Sequence, residues 1–184
     1  MTSDIITLIW LFPIVFILHD FEELILFEPW LKKNAGFIRS RIEHRIPAAM
    51  EKRVSRILDK TTTEFALPIY LIFILTVIAS LLAALSGQVI PFLIASSLFF
   101  LHGFMHIGQA IFLRRYIPAL ITSVVIVIPY GAILFWRLTA AGLLDLPGLG
   151  VFFLAGILLA VPFILVMHAA GEYLYRQVMD VLVR

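Results

Sequence analysis

The chain alternates long apolar runs with short polar stretches, on the scale of a lipid bilayer. Five runs stand out: Ile5–Phe27, Phe65–Leu85, Val89–Phe112, Tyr116–Leu138 and Leu149–Tyr173. Each matches the ~20 residues needed to cross a ~30 Å hydrocarbon layer. Backbone groups in lipid must be satisfied internally, and runs of this length are too long for barrel strands, so the spans are helices. The pattern predicts an all-α, polytopic membrane protein with five transmembrane helices in a single transmembrane domain, residues 1–184. A basic interfacial helix is expected as well, because residues Ala48 to Lys60 set Met50, Val54, Ile57 and Leu58 on one face and Lys52, Arg53, Arg56 and Lys60 mostly opposite. That helix is read as resting on anionic lipid, with a lid over the site as the alternative. The first run has neither a basic leader nor a small-residue cleavage site, so it is expected to stay in the mature protein.

Charge gives the spans a direction. The polar segment from Glu28 to Glu64 carries Lys32, Lys33, Arg39, Arg41, Arg45, Lys52, Arg53, Arg56 and Lys60. Arg114 and Arg115 follow the third span, and Arg176 and Arg184 follow the fifth. An external N-terminus and a cytoplasmic C-terminus put all of these inside and leave only Arg137 outside, as the positive-inside rule expects. Trp30, Tyr116, Tyr173 and Tyr175 then fall at the inner interface and Trp136 near the outer one.

Composition agrees with the membrane reading and removes some chemistry. The chain is 62% hydrophobic, with a mean hydropathy of +1.05. It has no cysteine, which excludes disulfides, thiolate metal sites, thiol nucleophiles and iron–sulfur clusters. Nucleic acid is not an expected partner, since topology already accounts for the basic residues.

The remaining polar residues inside the spans are the candidate chemistry. Spans one, three and five each carry a histidine followed four residues later by a second metal-ligand type: His19/Glu23, His102/His106 and His168/Glu172. A spacing of four puts both members on one face of a helix. Ionisable groups in a span are costly and mark function by default. With these helices running in the same direction, the three pairs lie at one depth, in the cytoplasmic half of the bilayer. Two tiers are then expected, His19, His102 and His168 above Glu23, His106 and Glu172. Such a set suits one or two divalent ions, with zinc favoured and iron possible. Glu22, rotated from the His19 direction, is expected to act as general base on water at the ion. Asp20 is read as turned away from the His19/Glu23 face, Gln109 as a neighbour of the ligands or interhelical glue, and His44 as a solvated residue. Pro13 and Pro162 each precede a histidine by six residues and are expected to bend their helices. The competing reading is a buried charge network in which histidines and glutamates lock the bundle without a metal.

His19-Asp20-Phe21-Glu22-Glu23, near the start of a small multi-pass chain, resembles the motif of the HXXEE-domain family of bacterial integral membrane proteins. The resemblance implies weight on His19, Glu22 and Glu23 and a place in a bacterial cytoplasmic membrane, and it implies no substrate. The residues themselves point first to a metal-dependent hydrolase acting on a lipid or amphipathic substrate. A di-iron oxidoreductase of a lipid-like substrate is the alternative, and a metal or proton transporter or sensor the third.

Overall fold

In a computed structural model the described residues are 1–42 and 47–182. His44, Arg45 and Arg184, and the side chains of Arg53, Arg56 and Ile57, lie outside the description. Every regular element among the described residues is helical: α1 (Ser3–Ile42), α2 (Ala48–Leu58), α3 (Thr62–Ser86), α4 (Val89–Leu113), α5 (Leu120–Thr122), a π-helical turn (Ser123–Val127), α6 (Ile128–Ala140) and α7 (Leu146–Leu182). Helices α1, α3, α4 and α7, and the composite of α5, the π turn and α6, are long and apolar enough to cross a membrane. The five expected spans are therefore present.

Helix α1 packs chiefly along α3 and meets α4 and the fourth span through a buried seam. Its buried residues Ile5, Ile9, Phe12, Phe16 and His19 recur at alternating steps of four and three. That spacing keeps one seam facing the same partners along the helix. Phe12 is wholly buried, with ring centroids 5.5 Å from Phe92, 5.7 Å from Phe99 and 6.3 Å from Tyr130. The Tyr130 hydroxyl donates to the Leu8 carbonyl at 2.8 Å, which satisfies a polar tip deep in an apolar layer. On α3, Thr76, Ala79, Ser80 and Ala83 are buried, and on α4 Ser96 and Ser97. Lipid provides no hydrophobic drive between helices, so small residues that permit close approach take its place. Gly171 of α7 shows how close: a Cβ there would meet Pro68 of α3 at 2.5 Å.

Two ends differ from the reading of the sequence. Helix α1 does not stop near Phe27 but continues, through Pro29, to Ile42. Phe27, Leu31, Ala35 and Ile38 continue an apolar stripe into the polar segment, and Leu58 and Val54 of α2 belong to the same cluster. That tertiary cover outweighs the hydrogen bond that Pro29 removes. The fourth span begins at Leu120, not Tyr116, because Pro118 biases Ile117 towards extended backbone and Ala119 is left-handed at φ 64°. Both α1 and α7 run unbroken through Pro13 and Pro162.

Ties at the basic end fix the helices to one another. Thr61 caps α3 with a reciprocal Glu64 capping box. The Thr62 amide donates to Glu28 of α1 at 2.8 Å, and Lys32 pairs with the same carboxylate at 2.6 Å. Lys32 and Thr62 thus satisfy both oxygens of the half-buried Glu28 carboxylate. Arg39 reaches Asp59, just past α2, at 3.0 Å.

Phe12 is the test of the seam. Phe12→Ala is expected to cost about 3–5 kcal/mol of unfolding free energy in mixed micelles, the range for an aromatic removed from a packed core. An unchanged unfolding midpoint would show that the Phe12 seam does not hold the bundle together.

Candidate metal centre

The seam of α1 turns polar at its basic end. The next positions after Phe16 are His19 and Glu23, continuing the same alternation. On α4 a second seam does the same: Phe92, Ser96, Phe99 and Gly103 lead to His106, all buried. The two seams meet, and ligand atoms of His19, Glu23, His102 and His106 all lie within 4.8 Å of one another. This is the group of that kind among the described residues. The i, i+4 spacing inside each helix brings each pair to one face, and the Phe12/Phe92/Phe99 contacts two turns away bring the faces together.

The imidazoles converge through identifiable atoms. His102 Nε2 and His106 Nε2 stand 2.8 Å apart. In neutral rings one of them must donate to the other. Around a single tetrahedral ion the ligand nitrogens would stand ~3.3 Å apart, so a small rotation of either ring converts the pair into a chelate. His19 Nε2 is buried without a hydrogen-bond partner. Its ring centroid lies 5.5 Å from His102 and 5.1 Å from His106. An orphaned buried nitrogen costs about 1–3 kcal/mol, and in a native structure it calls for an explanation such as an ion.

Glu23, His102 and His106 of the group line a cavity of about 850 Å³; His19 is not among its lining residues. Its walls come from α1, α3, α4 and α7, and apolar residues from Leu82 and Pro91 to Phe27 and Phe65 form most of them. Asp20, Glu23, His102, His106, Gln109 and His168 are its polar residues apart from Thr76. The α3 wall from Phe65 to Leu82 is ~25 Å long at 1.5 Å per residue, so the cavity is an elongated apolar slot with a polar end. The fourth span contributes none of its lining.

The six expected ligands are thus not all together. His19, Glu23, His102 and His106 converge. His168 lines the same cavity, stacked on Phe65 at 5.5 Å with Nδ1 unpartnered, and is not within the ligand group. Glu172 pairs with Arg176 at 2.7 Å on the exposed side of α7. The expected second tier is therefore incomplete: α7 approaches α3 at Gly171, and this rotation turns Glu172 outward.

Glu22 also departs from its expected role as base. It does not line the cavity. Its Oε2 accepts from the Thr122 amide at 2.7 Å and the Thr122 hydroxyl at 2.6 Å, and its Oε1 accepts from the Ile121 amide at 3.2 Å and the Tyr116 hydroxyl. A carboxylate so engaged caps the start of the fourth span. His19 Nδ1 lies 3.1 Å from the same Thr122 hydroxyl.

Asp20 is the residue that the sequence reading turned the wrong way. It is buried, lines the cavity beside Glu23 and leaves Oδ2 without a partner. The signal was present: Phe16, Asp20, Glu23 and Phe27 repeat at four, three and four, and all four line the cavity. The seam has two flanks, and Asp20 occupies the one facing α3.

A family model described as "Protein of unknown function with HXXEE motif" matches residues 10–134. The chain belongs to this family. The matched region holds the whole converged group and ends before α7, which carries His168 and Glu172. Comparison with curated proteins and with solved structures gave no match.

The capping role of Glu22 has a direct readout. Glu22→Ala is expected to release the Ile121 and Thr122 amides, raising their hydrogen-exchange rates at least tenfold while the Phe99–Gly103 amides keep their protection. Unchanged exchange at both amides would remove Glu22 from the cap.

Proposed function

We propose that this HXXEE-family protein is an integral membrane metalloenzyme, a hydrolase that acts on an amphiphile carrying an acyl chain. The observation that carries the reading is the meeting of His19, Glu23, His102 and His106 within 4.8 Å, the last three of them lining the polar end of an otherwise apolar cavity. The three imidazoles would hold a single divalent ion with one position open to water and the Glu23 carboxylate beside it, and zinc is favoured over iron. When bound, such an ion would supply Lewis acidity to polarise a carbonyl and acidify water. The chain does the rest. The apolar walls hold the acyl chain and exclude water. Asp20 Oδ2, free and buried beside Glu23, takes a proton from the attacking water and returns it to the leaving group. His168, across the cavity on α7, borders the same space and orients the polar head.

The outward position of Glu172 weighs against the di-iron alternative, which needs more bridging carboxylates than one glutamate and one aspartate. Transport is less well supported, because the cavity walls beyond the polar end are apolar and provide no further ligands for an ion. In the proposed orientation the N-terminus is external, the C-terminus is cytoplasmic, and the metal centre lies in the cytoplasmic leaflet.

Purified protein is expected to bind one equivalent of zinc or iron by elemental analysis. His19→Ala and His106→Ala should each lower that affinity at least tenfold, and Glu172→Gln should leave it unchanged. Asp20→Asn should keep the metal and lose ~10²–10⁴ of the rate on long-chain acyl esters or amides in micelles. Metal-free protein with full activity would overturn the reading. Orientation is tested by cysteine labelling, since the chain contains no cysteine. Ser86→Cys should react with an impermeant reagent applied outside and Ser40→Cys should not; the opposite pattern reverses the topology.

A further inference from the structure

The HXXEE motif supplies three polar side chains, and only two of them, His19 and Glu23, join the converged group. We propose that the third, Glu22, acts with Thr122 as a positioning pair that fixes the tautomer of His19, so that Nε2 presents a lone pair to the site.

The argument is an inventory of hydrogens. Glu22 accepts backbone amide hydrogens at both oxygens, from Ile121 at Oε1 and from Thr122 at Oε2. Amides cannot accept, so these bonds suit an ionised carboxylate, which is an acceptor only. The Thr122 hydroxyl has one hydrogen. It lies 2.6 Å from Glu22 Oε2 and 3.4 Å from the Ala119 carbonyl, so the hydrogen goes to the carboxylate. At 3.1 Å from His19 Nδ1 the hydroxyl oxygen can then only accept. His19 must carry its hydrogen on Nδ1. A neutral imidazole protonated there has a bare lone pair at Nε2. Nε2 is the atom buried without a partner, on a ring whose centroid lies 5.5 Å from that of His102 and 5.1 Å from that of His106.

The local fold serves this arrangement. Pro118 and the left-handed Ala119 start the fourth span late, and the first helical residues, Leu120 to Thr122, bring two amides and a hydroxyl to one carboxylate. The π turn that follows, Ser123–Val127, sets a local widening of the helix directly beside His19's partner. Metal-ligating histidines usually donate their second nitrogen to a carboxylate or carbonyl, and here the carboxylate acts through one intervening hydroxyl. The ligand half of this inference rests on the metal reading above; the tautomer half does not.

The full-length protein, labelled with ¹⁵N-histidine and studied metal-free in micelles, separates the two halves. The His19 signals, assigned by their loss in His19→Gln, are expected to show a protonated Nδ1 and an unprotonated Nε2. Thr122→Val should mix the tautomers, and Thr122→Ser should restore the wild-type pattern. Glu22→Gln, which introduces donor hydrogens in place of acceptors, should shift His19 towards the opposite tautomer. It also serves as an independent variant should Thr122→Val fail to fold. A protonated Nε2 in the wild type, or wild-type signals in both Thr122→Val and Glu22→Gln, would overturn the proposal. Zinc affinity, measured by chelator competition, should fall ~10–100-fold in Thr122→Val and Glu22→Gln and recover in Thr122→Ser. If the wild type binds no zinc, the metal reading fails while the tautomer result stands. If zinc binds the wild type and both variants equally, the positioning role fails.

Discussion

The interior of the bilayer has no water to satisfy a polar group, and the position of His19 turns on that fact. An imidazole at 0% exposure among Phe99, His102 and His106 must find every partner within the protein. On one side it meets the Thr122 hydroxyl, and on the other it faces the remaining site residues. The apolar seam from Ile5 to Phe16 holds α1 at the rotation that makes this possible. Turned by one residue, about 100°, the same helix would present Leu18 or Asp20 to α4.

Much of this was legible in the sequence. Span number followed from apolar run length, and the seam pairs followed from the spacing of four. The converged group consists of two of the three spaced pairs. What the spacing could not give was rotation of each helix about its own axis. A four-residue repeat states that His168 and Glu172 share a face; it does not state which way the face turns. The close approach of Gly171 to Pro68 sets that rotation on α7, and it depends on a residue about a hundred positions away in the chain. Asp20 was missed for the related reason that a seam residue has two flanks, and only the packing of α3 tells which one is lined.

The role of Glu22 was out of reach for a different reason. Its partners, Tyr116, Ile121 and Thr122, lie about a hundred residues along, at a helix start whose place depends on Pro118 and a left-handed alanine. The breaker was visible, yet an apolar run beginning at Tyr116 read as continuous hydropathy. Hydropathy measures whether a segment can enter lipid. Backbone geometry decides where its free amides point, and those amides selected the carboxylate.

Helix α1 is also a rod. From His19 to Ile38 it runs without a break for ~28 Å, and its far end is clasped by α2 and by the Arg39–Asp59 pair. Between the site and that end, Phe27 stacks on Phe65 of α3 and the Trp30 indole donates to the Tyr116 carbonyl. The two motif residues at the site therefore belong to a helix that is anchored along both of its halves, in the apolar layer and in the polar segment alike.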